Sequence, residues 1–325
     1  MMGTYKVWAV ALSVAVSTVT LAGCETGANN QAANQANGAA SIAQAHAQPK
    51  TVIDGMGHRV TVPANPQRIW APTLEDPLIT LGETKEIVGQ YSSGNVVDDY
   101  LQKWLKGVPH IDFSGNGLDP ESVLALNPDF IILFSTVLAE NGKYAQYSKI
   151  APTYVFNVKS GAQATWRQEL LTLGKLLNKS AKAQAALKQY DKIVAAAKAK
   201  LKSTVGNHTV AIIEPSGKQL FLIGPGNFAG QEVYGDLGLT PPAIAKGWGE
   251  ISFEELPQLK ADDIFVVTGN DSSAELQALK NNPVWKDLPA VKAGHVYTVN
   301  YGHWVNNGVI ANEDVISDVV RDLAK

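Results

Sequence analysis

One stretch limits the architecture more than any other: from Ser180 to Leu201 the chain runs without a glycine or a proline. Ala183, Leu187, Tyr190, Val194, Ala197 and Leu201 recur there at spacings of four and three, which is one face of an α-helix. About 22 residues at a rise of about 1.5 Å make a rod about 33 Å long, enough to span the back of two lobes as a single strut. A long helix packed inside one domain satisfies the same pattern. On either side, short β-branched or aromatic runs alternate with amphipathic stretches, as in α/β proteins. The expected strands are Gln67–Trp70, Glu86–Gly89, Phe130–Phe134 and Tyr154–Asn157 before the helix. After it come His208–Glu214, Gln219–Ile223, Asp263–Thr268 and His295–Val299.

The N-terminus is of another kind. Lys6 precedes an apolar run from Val7 to Ala22, which ends in Leu21, Ala22, Gly23 and Cys24. The run is too short to cross a hydrocarbon core of about 30 Å comfortably, and small residues before the cysteine suit a cleavage site, so residues 1–23 read as a secretory signal peptide. Leu21-Ala22-Gly23-Cys24 resembles the lipobox of bacterial lipoproteins, which implies a diacylglyceryl thioether at Cys24, cleavage before it and acylation of the new amine. A free or buried thiol is the other reading of Cys24, the single cysteine of the chain. Each buried methylene contributes about 0.8 kcal/mol, so two or three acyl chains would hold the protein at the extracytoplasmic face of the cell membrane.

Residues 24–50 are Ala, Asn, Gln and Gly with almost no large apolar side chain, too little to offset the entropy of ordering, and are expected to form a flexible linker. Removing the leader deletes only the charge of Lys6, which takes the formal net charge from -3 to -4. With no cluster of Lys or Arg in the remainder, nucleic acid is not an expected partner.

Several segments carry a family resemblance. Thr51-Val52-Ile53-Asp54-Gly55 through Val60-Thr61-Val62-Pro63 to Pro66-Gln67-Arg68-Ile69 resembles the opening hairpin and first strand of the siderophore and cobalamin class of substrate-binding proteins. Glu121-Ser122-Val123-Leu124 through Asn127-Pro128-Asp129 to Phe130-Ile131-Ile132 is similar to the family's helix, Pro-Asp turn and buried strand. Ile251-Ser252-Phe253-Glu254-Glu255-Leu256 leading to Asp262-Asp263-Ile264-Phe265 looks like its second-lobe counterpart, and Val291-Lys292-Ala293-Gly294-His295-Val296-Tyr297 with Trp304 resembles the last strand and the loop after it. Within the class, Ile150-Ala151-Pro152-Thr153 to Trp166-Arg167-Gln168-Glu169 most resembles the ferric hydroxamate binders.

The resemblance implies a class III periplasmic-binding-protein fold: an α/β chain with two lobes, residues 51–179 and 204–325, joined by a long rigid interdomain helix, residues 180–203. It implies a monomer that carries a ferric siderophore, hydroxamate type first, to the permease dimer of an ABC (ATP-binding-cassette) importer with separate ATPase subunits. The iron would arrive wrapped by the siderophore, so no cofactor and no protein ligand to metal is expected.

Ligands of open α/β sheets gather outside the carboxyl ends of strands. The residues expected there supply rings for a carbon scaffold and polar groups for the oxygens around iron: Tyr91 and Ser135 in the first lobe, and Phe228, Trp248, Tyr301, His303 and Trp304 in the second. For each ring alone, core packing is the competing role. Arg167 could meet anionic oxygens of the ferric centre or make a surface ion pair. The family's hydroxamate binders often carry an arginine after the strand at Gln219–Ile223, where this chain has Asn227-Phe228-Ala229-Gly230, a departure that weakens the case for a strongly anionic ligand.

The resemblance also assigns one glutamate per lobe to arginines of the permease, here Glu121 and Glu254, with Glu75 and Glu255 as neighbouring substitutes. Exposed charges of this kind steer docking and fix orientation more than they add affinity; a solvated helix start is the competing reading. An enzyme is the rival from another class. The six histidines lie far apart, and neither a zinc-protease helix motif nor a nucleophile elbow occurs. Gly224, Gly226 and Gly230 follow a strand, but at the wrong spacing for a dinucleotide fingerprint. Among binding proteins of the same fold, haem, with Tyr91, Tyr301 or His303 as axial ligand, and cobalamin are the competing ligands.

Overall fold

Strands that are apolar on both faces must be covered on both, and this requirement organises the chain. The computed structural model describes residues 48–113, 119–158, 165–217, 219–269 and 273–325, so the leader, Cys24 and most of the linker lie outside the described residues. Gln48–Lys325 forms one compact unit. It opens with an antiparallel hairpin, β1 (Lys50–Ile53) with β2 (Arg59–Val62). The first large sheet has the order β5-β4-β3-β7-β8 with β6 added on β4. Its strands are β3 (Ile69–Trp70), β4 (Ile87–Ser93), β5 (Val96–Val97), β6 (His110–Asp112), β7 (Phe130–Leu133) and β8 (Thr153–Val155). All pairings are parallel except that of the short β5. Parallel neighbours need crossovers, supplied by helices such as Glu75–Leu81, Pro120–Ala125 and Lys143–Ile150.

The second sheet has the order β11-β10-β9-β12-β13. It joins an antiparallel meander, β9 (Val210–Ser216), β10 (Gln219–Ile223) and β11 (Trp248–Ile251), to parallel β12 (Asp263–Thr268) and β13 (Val296–Asn300). Strands β10 and β12 have the expected bounds. β3 starts two residues later than expected because the backbone N–H groups of Gln67 and Arg68 donate to the Asp129 carboxylate, not to a ladder. The pairs involving β5, β6 and β11 lie outside the expected strands, since two to four residues carry too little periodicity.

The long helix runs from Ser180 to Thr204, between the two sheets in chain order. Ala183, Tyr190, Ala197 and Leu201 are its buried face, with Leu187 and Val194 half-buried beside them. One apolar cluster runs from Ile69 and Phe130 of the first sheet through Tyr190 to Ile212 and Phe265 of the second. The C-terminal helix, Val309–Leu323, contributes Val315, Ile316 and Val319 to the same cluster.

That helix also ties the halves together. Its first turn is capped by a residue far away in sequence: the Asp76 carboxylate, on Glu75–Leu81, accepts from the backbone N–H groups of Ile310 (3.2 Å) and Ala311 (2.9 Å). Gly308 permits the approach, since a β-carbon there would lie 2.2 Å from the Asp76 carboxyl carbon. Among the described residues no helix is long and apolar enough to cross a membrane.

Candidate binding cleft

Where the two sheets bring their strand ends together the surface sinks into a cavity of about 480 Å³. The first sheet contributes Thr73 after β3, Tyr91 and Ser93 of β4, Phe113 after β6, and Phe134 with Leu138 after β7. From the second come Glu214 of β9, Phe228 after β10, Trp248 of β11, and Asn300 and Tyr301 at the end of β13. Thr73 and Phe228 hold positive φ (64° and 44°), conformations that cost free energy in residues with a side chain and that gather at ligand sites. Gly230 is required for packing: a β-carbon there would lie 2.1 Å from the carbonyl oxygen of Gly224.

The rings form clusters on both sides. Tyr91 meets Phe113 edge-on at 4.9 Å. Trp248, about half exposed, stacks on Phe221 at 5.0 Å and 17°, and meets Phe228 edge-on at 5.9 Å. Amide and carboxylate groups join the halves at the rim: Asn300 Nδ2 donates to Asp99 Oδ2 (2.6 Å), and Asn306 Nδ2 to Asp98 Oδ1 (2.9 Å).

The electrostatics are one-sided. Asp98, Asp99 and Glu214 line the cavity, and no Lys or Arg among the described residues does. Burial pushes Asp98 up to about 6, partly offset by Asn306. Burial also raises Glu214. The hydroxyl of Tyr301 is raised by burial and then by the charges of Glu214, Tyr91 and Asp98, and that of Tyr91 by burial and then by Asp98. Behind the wall, buried Glu75 accepts the Tyr91 backbone N–H at 2.7 Å and is pushed up to about 8, first by burial and then by Asp98.

Of the residues expected here, Tyr91, Phe228, Trp248 and Tyr301 share the cavity. Four others do not line it. Trp304 is fully buried against Phe265 (4.9 Å), its Nε1 donating to Asp318 Oδ2 at 2.9 Å. His303 pairs with the same carboxylate oxygen at 2.7 Å. The reason is local: Tyr301–Trp304 is a helical turn, so Tyr301, Gly302, Val305 and Asn306 face the cavity while His303 and Trp304 turn inward. Ser135 is buried, its hydroxyl donating to the Val158 carbonyl and accepting from the Val137 N–H.

Arg167 makes the ion pair. It reaches Asp191 at 2.9 Å and Asp236 at 3.5 Å, over the rings of Trp166 and Tyr190. The sequence reading missed Phe113, Phe134, Asp98, Asp99 and Glu214. Phe134 was the legible one, as the neighbour of Ser135 at a strand end where alternate side chains face opposite ways.

Glu121 and Glu254 stand exposed in the first turns of matching short helices, Pro120–Ala125 and Phe253–Leu259, before β7 and β12. Their substitutes are otherwise engaged. Glu75 is buried, so it is no surface group, and Glu255 closes a capping box with Ser252. Among the described residues no group of three His, Cys, Asp or Glu is arranged to hold a metal ion.

Residues 75–300 match the sequence model of the periplasmic binding protein family. The iron(3+)-hydroxamate-binding protein FhuD of Bacillus subtilis is 32% identical over 238 residues, 70% of this chain and 71% of that protein. The probable siderophore-binding lipoprotein YfiY of the same organism is 27% identical, covering 89% of this chain and 92% of its own. Staphylococcus aureus FhuD2 with bound ferrioxamine B superposes with a TM-score of 0.66 at 26% identity, over 80% of this chain and all of the other (100%).

Proposed function

Because the chain belongs to the periplasmic binding protein family, we propose that it is the extracytoplasmic receptor of an iron importer, capturing a ferric siderophore of hydroxamate type between its lobes. The observation that carries this reading is the cleft: about 480 Å³, walled by Tyr91, Phe113, Phe134, Phe228, Trp248 and Tyr301, and supplied with hydroxyl and amide groups. A cavity of this size and mixed character suits a compact metal chelate with an apolar backbone. The names of the relatives, a hydroxamate binder and a siderophore-binding lipoprotein, point the same way.

The protein does no chemistry on its ligand. The siderophore supplies the donors to iron, and the loaded monomer docks on a permease dimer whose ATP hydrolysis is performed by separate subunits. Glu121 and Glu254, one on each half and both exposed, are the charges offered to the permease. Cys24 carries the lipid that holds the chain at the outer face of the cell membrane.

Titrating the purified protein with ferrioxamine B, ferrichrome, ferric citrate, haemin and cobalamin, with tryptophan fluorescence as readout, tests the reading. Submicromolar quenching by a ferric hydroxamate is the expected result. Quenching by haemin or cobalamin alone would replace it with one of those ligands.

A further inference from the structure

The receptor reading leaves one cavity side chain without a task. Glu214 is half-buried on β9, faces the cavity, and has no hydrogen-bond or ion-pair partner among the described residues. The two other acids of the wall are engaged, Asp98 by Asn306 and Asp99 by Asn300. A partly desolvated carboxylate without a partner is unfavourable, and an arriving cation relieves it.

A second observation gives the cation a shape. In the sheet register Glu214 lies directly opposite Phe221, so the two side chains share a face, and the Phe221 ring stacks on Trp248. Phe228 closes that cluster edge-on, and the Tyr301 hydroxyl feels the Glu214 charge. A carboxylate beside Trp, Phe and Tyr rings is the arrangement that binds an alkylammonium, through ionic hydrogen bonding and the negative faces of the rings.

Resting on the siderophore reading, we propose that Glu214 sets charge selectivity in this cleft, favouring a ferric tris-hydroxamate that carries a protonated primary amine. The ferric tris-hydroxamate core is neutral, since three hydroxamate anions balance Fe(III). The charge of the whole ligand is therefore the charge of its tail. Citrate and catecholate complexes are anionic and would meet Asp98, Asp99 and Glu214 with like charge.

The test compares ferrioxamine B, which ends in a free amine, with its N-acetylated derivative, which has the same core and no charge. Full-length wild type and Glu214→Gln are titrated with both at pH 7.5. For the wild type, acetylation should weaken binding about tenfold or more, a difference of about 1.4 kcal/mol. In Glu214→Gln the ratio of the two affinities should fall to within about twofold. Equal wild-type affinities, or a preference retained in Glu214→Gln, would overturn the assignment while leaving the receptor reading intact. If neither hydroxamate binds the wild type but haemin or cobalamin does, the siderophore reading itself falls and this inference goes with it.

Discussion

Asp76 offers a direct measurement of how the two halves are joined. Its carboxylate is 2% exposed and accepts from Ile310 and Ala311 N–H at the start of the C-terminal helix. Burial pushes its pKa up to about 7, although those N–H groups and the Thr80 hydroxyl pull the other way. In the unfolded chain an aspartate titrates near 3.9, so between about pH 4 and pH 7 the folded protein holds a proton that the unfolded chain has lost. The stability tied to that proton is fully present below about pH 4 and is lost as pH rises through about 7. The slope is about 1.4 kcal/mol per pH unit, which over three units amounts to about 4 kcal/mol.

Asp76→Asn keeps the size and one acceptor oxygen but cannot titrate. Urea denaturation of wild type and variant from pH 4.5 to 8, followed by tryptophan fluorescence, isolates the residue, because the other raised carboxyls, Glu75 and Glu232 among them, are common to both proteins. The wild type should lose its advantage over the variant steadily up to about pH 7 and no further. Parallel curves, or an advantage that grows with pH, would mean that the helix terminus holds Asp76 as an anion and that burial does not dominate.

Two contrasts follow from the side-chain placements. Trp304→Ala should cost about 3–5 kcal/mol of stability, because it empties a fully buried site and orphans a bond to Asp318. Tyr301→Ala, three residues earlier but exposed at the cleft, should leave the urea midpoint within experimental scatter and weaken ferric hydroxamate binding; the reverse pattern in titration and melting would exchange their roles. Replacing Glu121 and Glu254 together by Ala should abolish uptake into cells while solution binding persists, and lost solution binding would assign them to the cleft or the fold.

The large features were legible because each is repeated along the chain. Eight strand runs announce two sheets, and a helix face repeated from Ala183 to Leu201 announces the rod between them. The cleft was half legible for a physical reason. A residue's nearness to a strand end is written in the sequence, but the face it turns outward is set by the backbone form of the next few residues. After β13 that form is a helical turn, which separates Tyr301 from Trp304 although both are aromatic and only three positions apart. The acids escaped for a different reason. Asp98, Asp99 and Glu214 are ordinary surface-type residues locally, and they share one wall only because the two halves dock, where Asn300 and Asn306, about 200 positions downstream of the two aspartates, hydrogen-bond to Asp99 and Asp98 across the cleft. The architecture therefore follows from local periodicity, whereas the charge the cleft presents to a ligand depends on the docking of one half against the other. Asp76 joins the same two halves from behind, so its replacement tests whether their docking reaches the cleft. Asp76→Asn should then alter the ratio of affinities for charged and neutral hydroxamates if it lets the halves shift, and leave that ratio unchanged if the Asn300 and Asn306 bridges alone fix the register.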